Sequence, residues 1–376
     1  MQMIAKTLAG LEEVLADELR GLGAADVECL NRAVSFTGGK RLLYQANLEL
    51  RTAIRVLVPI YKGKARDEAE LYKLVQNIDW SQYMKVNDTL AVDGVAKSRY
   101  FNHSKYVALK TKDAIVDQFR NATGRRPNVN VFAPVLRINV HIFKDDCTIA
   151  LDSSGDSLHK RGYRIASVEA PINEVLAAGM LLLAGWKGER PFIDPMCGSG
   201  TLPIEAGLIA TRRAPQLSRE HFGFKRWSDF EPELWQQLLE AASNKIRKAP
   251  FPIKGYDKNF KAVRLTEQNA MAAGLESTLS VARKKFEKLE PVIDRGLLVV
   301  NPPYDERLSQ KDIGAFYEMI GDRLKQQFPG FEAWIISSSK EGFKRVGLKP
   351  SRKIPLYNGA LECLFARYEL YEGSKK

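Results

Sequence analysis

Hydrophobic positions in the first 160 residues alternate between helix and strand spacing. After a strand at IAKT (4–7), one helix face is predicted from apolar residues at helical spacing: Leu11, Val14, Leu15, Leu19 and Leu22. Further helices are predicted around 41–50 and 68–77, and over a basic segment from 104 that Gly124 ends. Strands are predicted at DVECL, AVSFTG and TLAVDGVAK (89–97), and in the hairpin VLRINVHIFKDDCTIALDSSG, with KDD as its turn. This part is therefore predicted to be α+β.

The pattern changes near residue 160, where apolar strands begin to alternate with long helices. The predicted order is PFID, helix 202–211, PIKGYD, helix 259–273, GLLVV, helix 312–328, FEAWIIS and ALECLFARYEL. Such an order is typical of a mostly parallel, doubly wound α/β sheet. Residues 212–250, rich in Arg, Trp and Phe, form an insertion between the first two strands. Its segment HFGFKRWSDF (221–230) fits a substrate lid and a packed flap equally well.

Charge favours a polyanionic partner. The net charge is +12, and residues 95–130 hold eight basic and two acidic residues, a local excess of +6. The four cysteines lie far apart without a C-x-x-C pair and there are only four histidines, so we expect no metal site and a reducing cytoplasm. The longest apolar stretch, VLAAGMLLLAGW (175–186), is shorter than the ~20 residues that span a bilayer, and the amphipathic, acidic start does not suit a signal peptide.

The segment PFIDPMCGSGTLPIEAGLIA (191–210) predicts a ligand-binding turn between a strand and a helix. Glycines allow close backbone approach, and the helix N-terminus presents free N–H groups. A dinucleotide-binding G-x-G-x-x-G motif would have its third glycine at position 203, where this chain has Pro203. The lysine of a P-loop is absent as well. The eight residues DPMCGSGT (194–201) are instead typical of the cofactor loop of S-adenosylmethionine-dependent methyltransferases.

An acidic residue ends the next predicted strand. In IKGYDKN (253–259), Asp257 is placed to accept hydrogen bonds from the two ribose hydroxyls of a nucleoside. Asp is also a common helix N-cap, and DKNFKAV suits that role. The glycine loop upstream favours ribose binding.

The tetrapeptide Asn301-Pro302-Pro303-Tyr304 follows the apolar strand GLLVV. At the carboxyl edge of the sheet, the Asn301 side chain and the Pro302 carbonyl can both accept hydrogen bonds from one exocyclic amine, while Tyr304 offers a stacking face. Two acceptors draw the amine nitrogen toward a pyramidal, methyl-accepting form. A surface turn is the alternative for an isolated N-P-P-Y. No Cys lies between 198 and 362, so a cysteine nucleophile after this strand is excluded.

Together these motifs resemble those of amino-group methyltransferases that act on nucleic acid. DSSGDSLHKRGYR (152–164), EAPINEVLAAGMLLLAGW (169–186) and NPPYDERL (301–308) are similar to the THUMP-domain 23S ribosomal RNA guanine-N2 methyltransferases, as in the N-terminal half of the fused Gram-negative enzyme. DEAELYKLVQNIDWSQYM (67–84) and the basic 95–126 segment resemble that family's ferredoxin-like and THUMP arm. The likeness covers nearly the whole chain.

The resemblance implies a fold, a cofactor and a set of site residues. It implies a ferredoxin-like unit over 1–60, a THUMP domain over 61–158 and a Rossmann-like α/β methyltransferase domain over 159–376. The cofactor is S-adenosylmethionine, and the residues implied to bind it are Asp194, Pro195, Met196, Cys197, Gly198, Ser199, Gly200, Thr201, Asp257, Lys258, Ala170 and Pro171. The catalytic loop is Asn301, Pro302, Pro303 and Tyr304, and the RNA-binding residues are Lys97, Arg99, Lys105, Lys110, Arg125 and Arg126. The partner is 23S ribosomal RNA or a large-subunit assembly intermediate, bound by a monomer or weak dimer.

Two questions stay open at the level of the sequence. Relatives carry an acidic residue for the cofactor adenine where this chain has Lys285, with Glu287 nearby, so that contact is unassigned. The catalytic loop suits adenine N6 as well as guanine N2, in RNA or DNA. A non-catalytic ribosome-assembly factor is a further alternative, and the basic arm argues against a small-molecule methyltransferase.

Overall fold

The computed structural model describes residues 1–166, 171–303 and 310–372, with the side chains of 310–312 excepted. The N-terminal arm is built on one sheet with the strand order β2-β3-β1-β4-β8-β7-β5-β6. Its strands are β1 (Gln2–Lys6), β2 (Ala25–Leu30), β3 (Ala33–Thr37), β4 (Arg55–Lys64), β5 (Thr89–Lys97), β6 (Asn128–Val129), β7 (Leu136–Phe143) and β8 (Asp146–Asp152). Its helices are α1 (Glu12–Gly21), α2 (Lys40–Glu49), α3 (Glu68–Gln76) and α4 (Ser104–Thr123). The predicted strands and helices of the arm are confirmed within a few residues.

Strand β4 joins the two halves of the arm and was not predicted from the sequence. It pairs antiparallel with β1 on one side and β8 on the other, so the eight strands form one sheet. Pro59 cannot donate a ladder hydrogen bond, and the register with β8 shifts between Pro59 and Tyr61. That irregularity hides the strand pattern. The boundary predicted at residue 60 falls inside β4.

The C-terminal part contains a seven-stranded sheet with the order β11-β10-β9-β12-β13-β15-β14. Its strands are β9 (Phe192–Asp194), β10 (Ile253–Asp257), β11 (Leu279–Arg283), β12 (Leu297–Val300), β13 (Glu332–Ser337), β14 (Arg352–Asn358) and β15 (Leu361–Glu369). Its helices are α5 (Glu174–Leu183), α6 (Thr201–Ala210), α7 (Pro232–Asn244), α8 (Phe260–Ala272), α9 (Gln310–Gln327) and α10 (Lys340–Arg345). Strands β9 to β13 run parallel and β15 runs antiparallel, which confirms the mostly parallel sheet. Chain order reverses between β9 and β12, the position where open α/β sheets bind ligands.

Helices cover both faces of the central strands. In β12, Leu297 and Val299 pack in the cluster that contains α5 and α6, whereas Leu298 and Val300 pack in the cluster that contains α9. Successive side chains of a strand point to opposite faces, so this near-continuous apolar run is what a strand buried on both faces requires. Strand β14 was not predicted, because it holds Pro355 and lies at the sheet edge, where proline is tolerated.

The insertion packs against the arm. Phe224 stacks on Tyr44 of α2 with ring centroids 4.4 Å apart, and Trp235 of α7 meets the same tyrosine edge-on at 6.2 Å. Phe222, Phe224 and Trp235 are buried in a cluster that includes residues of α1 and α2. Of the two alternatives left open for HFGFKRWSDF, the structure therefore shows the packed flap.

The connector, residues 153–164, links the arm to the C-terminal part. The buried guanidinium of Arg161 holds it in place. Arg161 is 2% exposed, and its Nε lies 3.4 Å from Glu205 Oε1 of α6. The same guanidinium donates to the backbone carbonyls of Leu158 and Arg51. Among the described residues, no helix has the length and apolar character needed to cross a membrane.

Candidate functional site

The carboxyl ends of β9, β10 and β12 open onto one cleft of ≈ 390 Å³. It is lined by Pro171, Ile172, Asp194, Pro195, Met196, Cys197, Gly198, Ser199, Thr201, Leu202, Asp257, Lys258, Asn259, Ala262, Phe286, Glu287, Asn301, Pro303 and Phe316. Nearly all the described candidates for cofactor binding and catalysis therefore meet in this cleft. Gly200 and Pro302 do not line it. Gly200 is the N-cap of α6, and Pro302 is buried.

The turn after β9 requires glycine for its conformation. Gly198 and Gly200 have φ of 57° and 86°, in the left-handed region that disfavours side chains. A Cβ on Gly200 would also run into the side chain of Thr266. The Cys197 N–H donates to the Tyr256 carbonyl at 2.8 Å, and the Cys197 side chain packs beside Thr266. The turn is thereby fixed against β10.

Helix α8 holds the same turn from behind, a role that sequence reasoning missed. Thr266 Oγ1 donates to the Gly198 carbonyl at 2.9 Å, and Asn269 Nδ2 donates to the Ser199 carbonyl at 2.9 Å. Both groups are buried. No local motif marks these two residues, because they lie inside an ordinary amphipathic helix. Their polar character at buried positions was the only available signal.

Arg164 connects the turn to the start of α5. It donates to Glu174 Oε1 at 2.8 Å and to Thr201 Oγ1 at 3.0 Å, and it also reaches the Ile172 carbonyl at 3.2 Å. Sequence reasoning placed Arg164 only within a family-like segment. Because Ile172 and its neighbour Pro171 line the cleft, this arginine sets the position of one wall.

Two carboxylates stand at the ends of neighbouring strands. Burial, together with the nearby Asp257 charge, raises the pKa of Asp194 to about 8. The Met196 N–H, which donates to Oδ1 at 3.0 Å, opposes that rise. Asp257 accepts from the N–H groups of Gly198 at 3.0 Å and Asn259 at 2.8 Å. Each of its oxygens retains a second lone pair for a ligand hydroxyl. The carboxylate therefore orders the glycine turn and can also bind a ribose.

Asn301 follows β12 and lines the cleft. Its Oδ1 is buried and has no hydrogen-bond partner among the described residues. Such an acceptor costs free energy unless a ligand donates to it. Pro303 lines the cleft beside it. Tyr304 and Ala170, the two remaining candidates for this site, lie outside the described residues.

The far wall of the cleft resolves the ambiguity over Lys285 in part. Phe286 and Glu287 line the cleft, whereas Lys285 does not. Lys285 instead precedes a short 3-10 helix, Phe286–Lys288, as its N-cap. The acidic side chain facing the cleft is thus displaced by two positions in the sequence. Phe316 of α9 is a further lining residue that sequence reasoning missed.

The six basic residues predicted to bind RNA are exposed or half-buried in the arm, but they do not form one cluster. Lys97, Arg99 and Lys105 lie near the start of α4, and Arg125 and Arg126 follow its end. A helix of 20 residues is ~30 Å long, so these two groups are separated by that distance. Lys110 lies between them, over the ring of Tyr72 at 5.4 Å.

The arrangement fits a nucleoside cofactor that carries an amino acid group. A glycine turn at a helix N-terminus, a strand-end carboxylate and a flanking aromatic ring surround a cleft large enough for such a molecule. The unpartnered Asn301 oxygen adds an acceptor for a second molecule. Among the described residues, no group of three or more His, Cys, Asp or Glu side chains is arranged to hold a metal ion.

Family models match three segments of the chain. Residues 161–367 match the family described as "RMKL-like, methyltransferase domain". Residues 65–152 match the THUMP domain, and residues 2–57 match the RlmL ferredoxin-like domain. The fold implied by the sequence, an α/β Rossmann-like methyltransferase domain preceded by a ferredoxin-like/THUMP arm, is confirmed.

Curated relatives match nearly the whole of this chain. The "Ribosomal RNA large subunit methyltransferase K/L" of Syntrophotalea carbinolica is 42% identical over 96% of this chain and 53% of its own length. This chain thus spans about half of that relative. The "Putative RNA methyltransferase slr0064" of Synechocystis sp. is 40% identical over 96% of this chain and 95% of its own length.

A solved structure supports the cofactor assignment. The structure of "SMU.472, a putative methyltransferase complexed with SAH" is 29% identical and covers 99% of both chains with a TM-score of 0.88. SAH is the demethylated product of S-adenosylmethionine, the cofactor that the sequence predicts for this chain. The family models, the relatives and the cleft agree, and the chain belongs to the THUMP-domain, RMKL-like family of methyltransferases.

Proposed function

We propose that the protein methylates the exocyclic N2 amine of a guanine in 23S ribosomal RNA. The observation that carries this proposal is the Asn301 side chain, which lines the cofactor cleft while its buried Oδ1 has no partner among the described residues. An acceptor in that position suits an amine that donates two hydrogen bonds. With the Pro302 carbonyl as a second acceptor, the loop can take both hydrogens of an amine, whereas a hydroxyl offers one hydrogen and a carbon nucleophile offers none.

The residues of the glycine turn would hold the cofactor in the cleft. Asp194 would accept from its amino group, and Asp257 from its ribose hydroxyls, using the lone pairs not occupied by Gly198 and Asn259. Glu287 is the acidic side chain on the adenine side, and we assign the adenine amine to it in place of Lys285. Phe286 offers an apolar contact beside it.

Catalysis would depend on positioning. The bound cofactor supplies a methyl group activated by a positively charged sulfur. Asn301 Oδ1 and the Pro302 carbonyl would accept the two hydrogens of the target amine, which localises the nitrogen lone pair and directs it toward the methyl group. Two consecutive prolines restrict the loop, so the acceptors stay in place at little entropic cost. The proton is released to solvent after transfer, and Tyr304 would stack on the target base.

The arm would bind the RNA substrate. A THUMP domain, a net charge of +12 and exposed arginines and lysines along α4 suit contacts to phosphates, which give affinity without reading sequence. Relatives named as ribosomal RNA or RNA methyltransferases support this substrate class. We place the enzyme in the cytoplasm, acting as a monomer or weak dimer on 23S ribosomal RNA or an assembly intermediate. The target base is extruded from its pairing before transfer.

The test uses labelled S-adenosylmethionine and nucleic acid from cells that lack the protein. Total RNA and genomic DNA are incubated separately with the enzyme, digested to nucleosides and separated. We expect label in N2-methylguanosine from large-subunit RNA. Label in N6-methyladenine would instead make the protein an adenine methyltransferase. A protein that binds the cofactor but labels neither nucleic acid would be an assembly factor.

A further inference from the structure

Three neighbouring clefts, each sharing lining residues with the next, follow one another from the arm to the cofactor cleft, and together they are called the path. A cleft of ≈ 340 Å³ lies between residues 132–137 of the arm, the connector and the insertion. A second cleft, of ≈ 440 Å³, shares Lys160 and Gly162 with the first. The second cleft in turn shares Pro171 and Ile172 with the cofactor cleft. An extended ligand can therefore contact the arm and the catalytic loop at the same time.

The arm end of the path presents an unusual aromatic side chain. Phe132 is 90% exposed, the highest value among the exposed large hydrophobic residues described. Its loop is nonetheless well braced. Asn130 Oδ1 accepts from the N–H groups of Phe132 at 3.1 Å and Ala133 at 3.0 Å, and Arg137 donates to the Val131 carbonyl at 2.6 Å. A solvent-facing ring on a braced backbone is the form of a base-stacking platform.

Positive charge accompanies the ring along the path. The lining of the first cleft includes four Lys or Arg residues, namely Arg137, Lys160, Arg219 and Arg226, against the two acidic residues Asp156 and Glu220. The Lys160 side chain is 62% exposed, and its only partner among the described residues is the exposed Asp156 at 3.4 Å. Weak pairing of this kind leaves the ammonium available to a phosphate.

The connector is rigid enough to keep the arm and the catalytic loop in register. Arg219 of the insertion donates to four connector carbonyls, including those of Asp156 at 2.7 Å and Ser157 at 3.0 Å. Arg161 ties the same segment to α6. These contacts tie the connector to both the insertion and the C-terminal part, as a two-point grip on one RNA strand requires.

We propose that this path holds a single-stranded segment of the substrate RNA, with one base stacked on Phe132 and a phosphate bound by Lys160. The segment then leads the target nucleotide into the cofactor cleft. The proposal rests on the proposed function and deepens it. Phe132 is a positioning residue, distinct from the basic residues along α4. A duplex does not fit the role, because its bases are already stacked and cannot reach the ring.

The first experiment measures binding without catalysis. The probe is a fluorescein-labelled 12-nucleotide oligouridine, which contains no guanine, and affinity is read from fluorescence anisotropy. We expect Phe132→Ala to weaken binding about tenfold and Phe132→Tyr to retain it, because stacking needs only a ring face. Val292→Ala is the control, since Val292 is also exposed, at 76%, and lines none of the three clefts. Unchanged affinity in Phe132→Ala overturns the proposal.

The lysine has a closely matched control. Lys344 forms the same kind of exposed pair, with Glu341 at 3.4 Å, and lies on α10 away from the path. Lys160→Ala is expected to reduce the slope of log affinity against log salt by about one, whereas Lys344→Ala leaves the slope unchanged. Equal slopes for the two variants would remove Lys160 from the path.

Methyl transfer to large-subunit RNA separates this proposal from the proposed function. At saturating cofactor, Phe132→Ala should raise KM for RNA about tenfold with kcat and cofactor affinity unchanged. If the wild-type protein transfers no methyl group yet oligouridine binding depends on Phe132, the proposed function fails and the path remains an RNA site. If transfer occurs with the same KM in Phe132→Ala, the path fails and the function stands.

Discussion

At the residue scale, the clearest expectation concerns Asn301. Asn301→Ala removes an acceptor that the cleft holds without a partner among the described residues. We expect kcat to fall by roughly 100-fold or more, the usual effect of removing one preorganised polar group from a transition state. Cofactor affinity should stay within twofold. Steady-state methyl transfer and cofactor titration provide the two measurements.

Stability offers an independent check on the same residue. Because Oδ1 has no partner among the described residues, its removal leaves none of their donors unpaired, and the thermal midpoint of Asn301→Ala should equal or exceed that of the wild type. Asn269→Ala is the contrasting control, since it removes donors to the carbonyls of Ser199 and Ala166 and should lower the midpoint. A large loss of stability in Asn301→Ala would show a structural role.

The raised pKa of Asp194 predicts that the stability of the folded protein depends on pH. Its pKa is raised from 3.8 to about 8, chiefly by burial, so the folded protein keeps a proton that the unfolded chain releases above pH 3.8. The carboxyl contribution to stability is therefore fully present below that pH and is lost as pH rises to about 8. The loss is at most about 1.4 kcal/mol per pH unit.

The variant Asp194→Asn removes the titrating group and therefore this dependence of stability on pH. Its thermal midpoint should rise relative to the wild type between pH 5 and pH 8, while cofactor binding is lost. Asp322→Asn, at an exposed helical position, serves as the control and should show a constant difference across that range. A constant difference for Asp194→Asn as well would contradict the raised pKa.

Sequence reasoning selected candidate residues that the structure brings to one cleft, but it did not predict the contacts that hold them there. Asp194, Asp257 and Asn301 each end a strand, so periodicity alone brings them to one edge of the sheet. Thr266 and Asn269 escaped notice because a polar side chain on a helix is ordinary until its burial is known. The shift from Lys285 to Glu287 likewise depends on a short 3-10 helix that no periodicity reveals.

At the element scale, the glycine turn before α6 combines two constraints that can be separated. Gly200→Ala introduces a left-handed alanine at φ 86° and a Cβ that meets Thr266. Gly124→Ala, at the end of α4, has a similar φ of 70° with nothing within 4 Å of the added atom. Left-handed strain costs about 1–3 kcal/mol at either position.

We therefore expect Gly200→Ala to lose more stability than Gly124→Ala in chemical denaturation, and only Gly200→Ala to weaken cofactor binding. The double variant Gly200→Ala/Thr266→Ser should recover part of the excess, because serine lacks the Cγ2 methyl group. Equal losses at the two glycines would show that α8 does not press on the turn.

Element prediction succeeded where one face or both faces of an element are buried in a regular way. The β12 run Leu297–Val300 is apolar at every position, and α1 keeps its apolar residues at helical spacing. Strand β4 was not predicted because Pro59 and the adjacent bulge break its alternation of apolar and polar residues. Strand β11 was not predicted because most of its side chains are exposed. Edge and irregular strands carry too little hydrophobic signal to be distinguished from loops.

At the scale of the whole molecule, long-range contacts unite arm, connector and insertion, and none of them has a local sequence pattern. Phe224 lies 180 residues from Tyr44 in the chain, yet the two rings stack. The joining of the arm into one sheet depends on the pairing of β4 with β8, which is equally non-local. Composition and periodicity predict that such parts exist, but they do not predict which surfaces meet.

The buried Arg161–Glu205 pair is the contact by which this organisation can be tested. Both side chains are fully buried, and the Glu205 carboxylate also accepts from the Tyr163 hydroxyl at 3.0 Å. Burial raises the pKa of Glu205, and the charges of Arg161 and Arg51 oppose that shift. Arg161→Met would leave the carboxylate without its ion-pair partner and the Arg51 carbonyl without the guanidinium that donates to it, whereas Gln216 still donates to the Leu158 carbonyl. We therefore expect a loss of about 3–5 kcal/mol in chemical denaturation.

The double variant Arg161→Met/Glu205→Gln should be more stable than Arg161→Met alone, because glutamine removes the uncompensated charge. Limited proteolysis should cut the connector 153–164 in Arg161→Met and leave it intact in Arg20→Met, whose arginine forms only an exposed pair with Asp17. If the connector stays protected in Arg161→Met, Arg219 and the insertion alone fix the arm to the catalytic part. Methyl transfer to RNA should then also survive, since Phe132 and Asn301 would keep their separation.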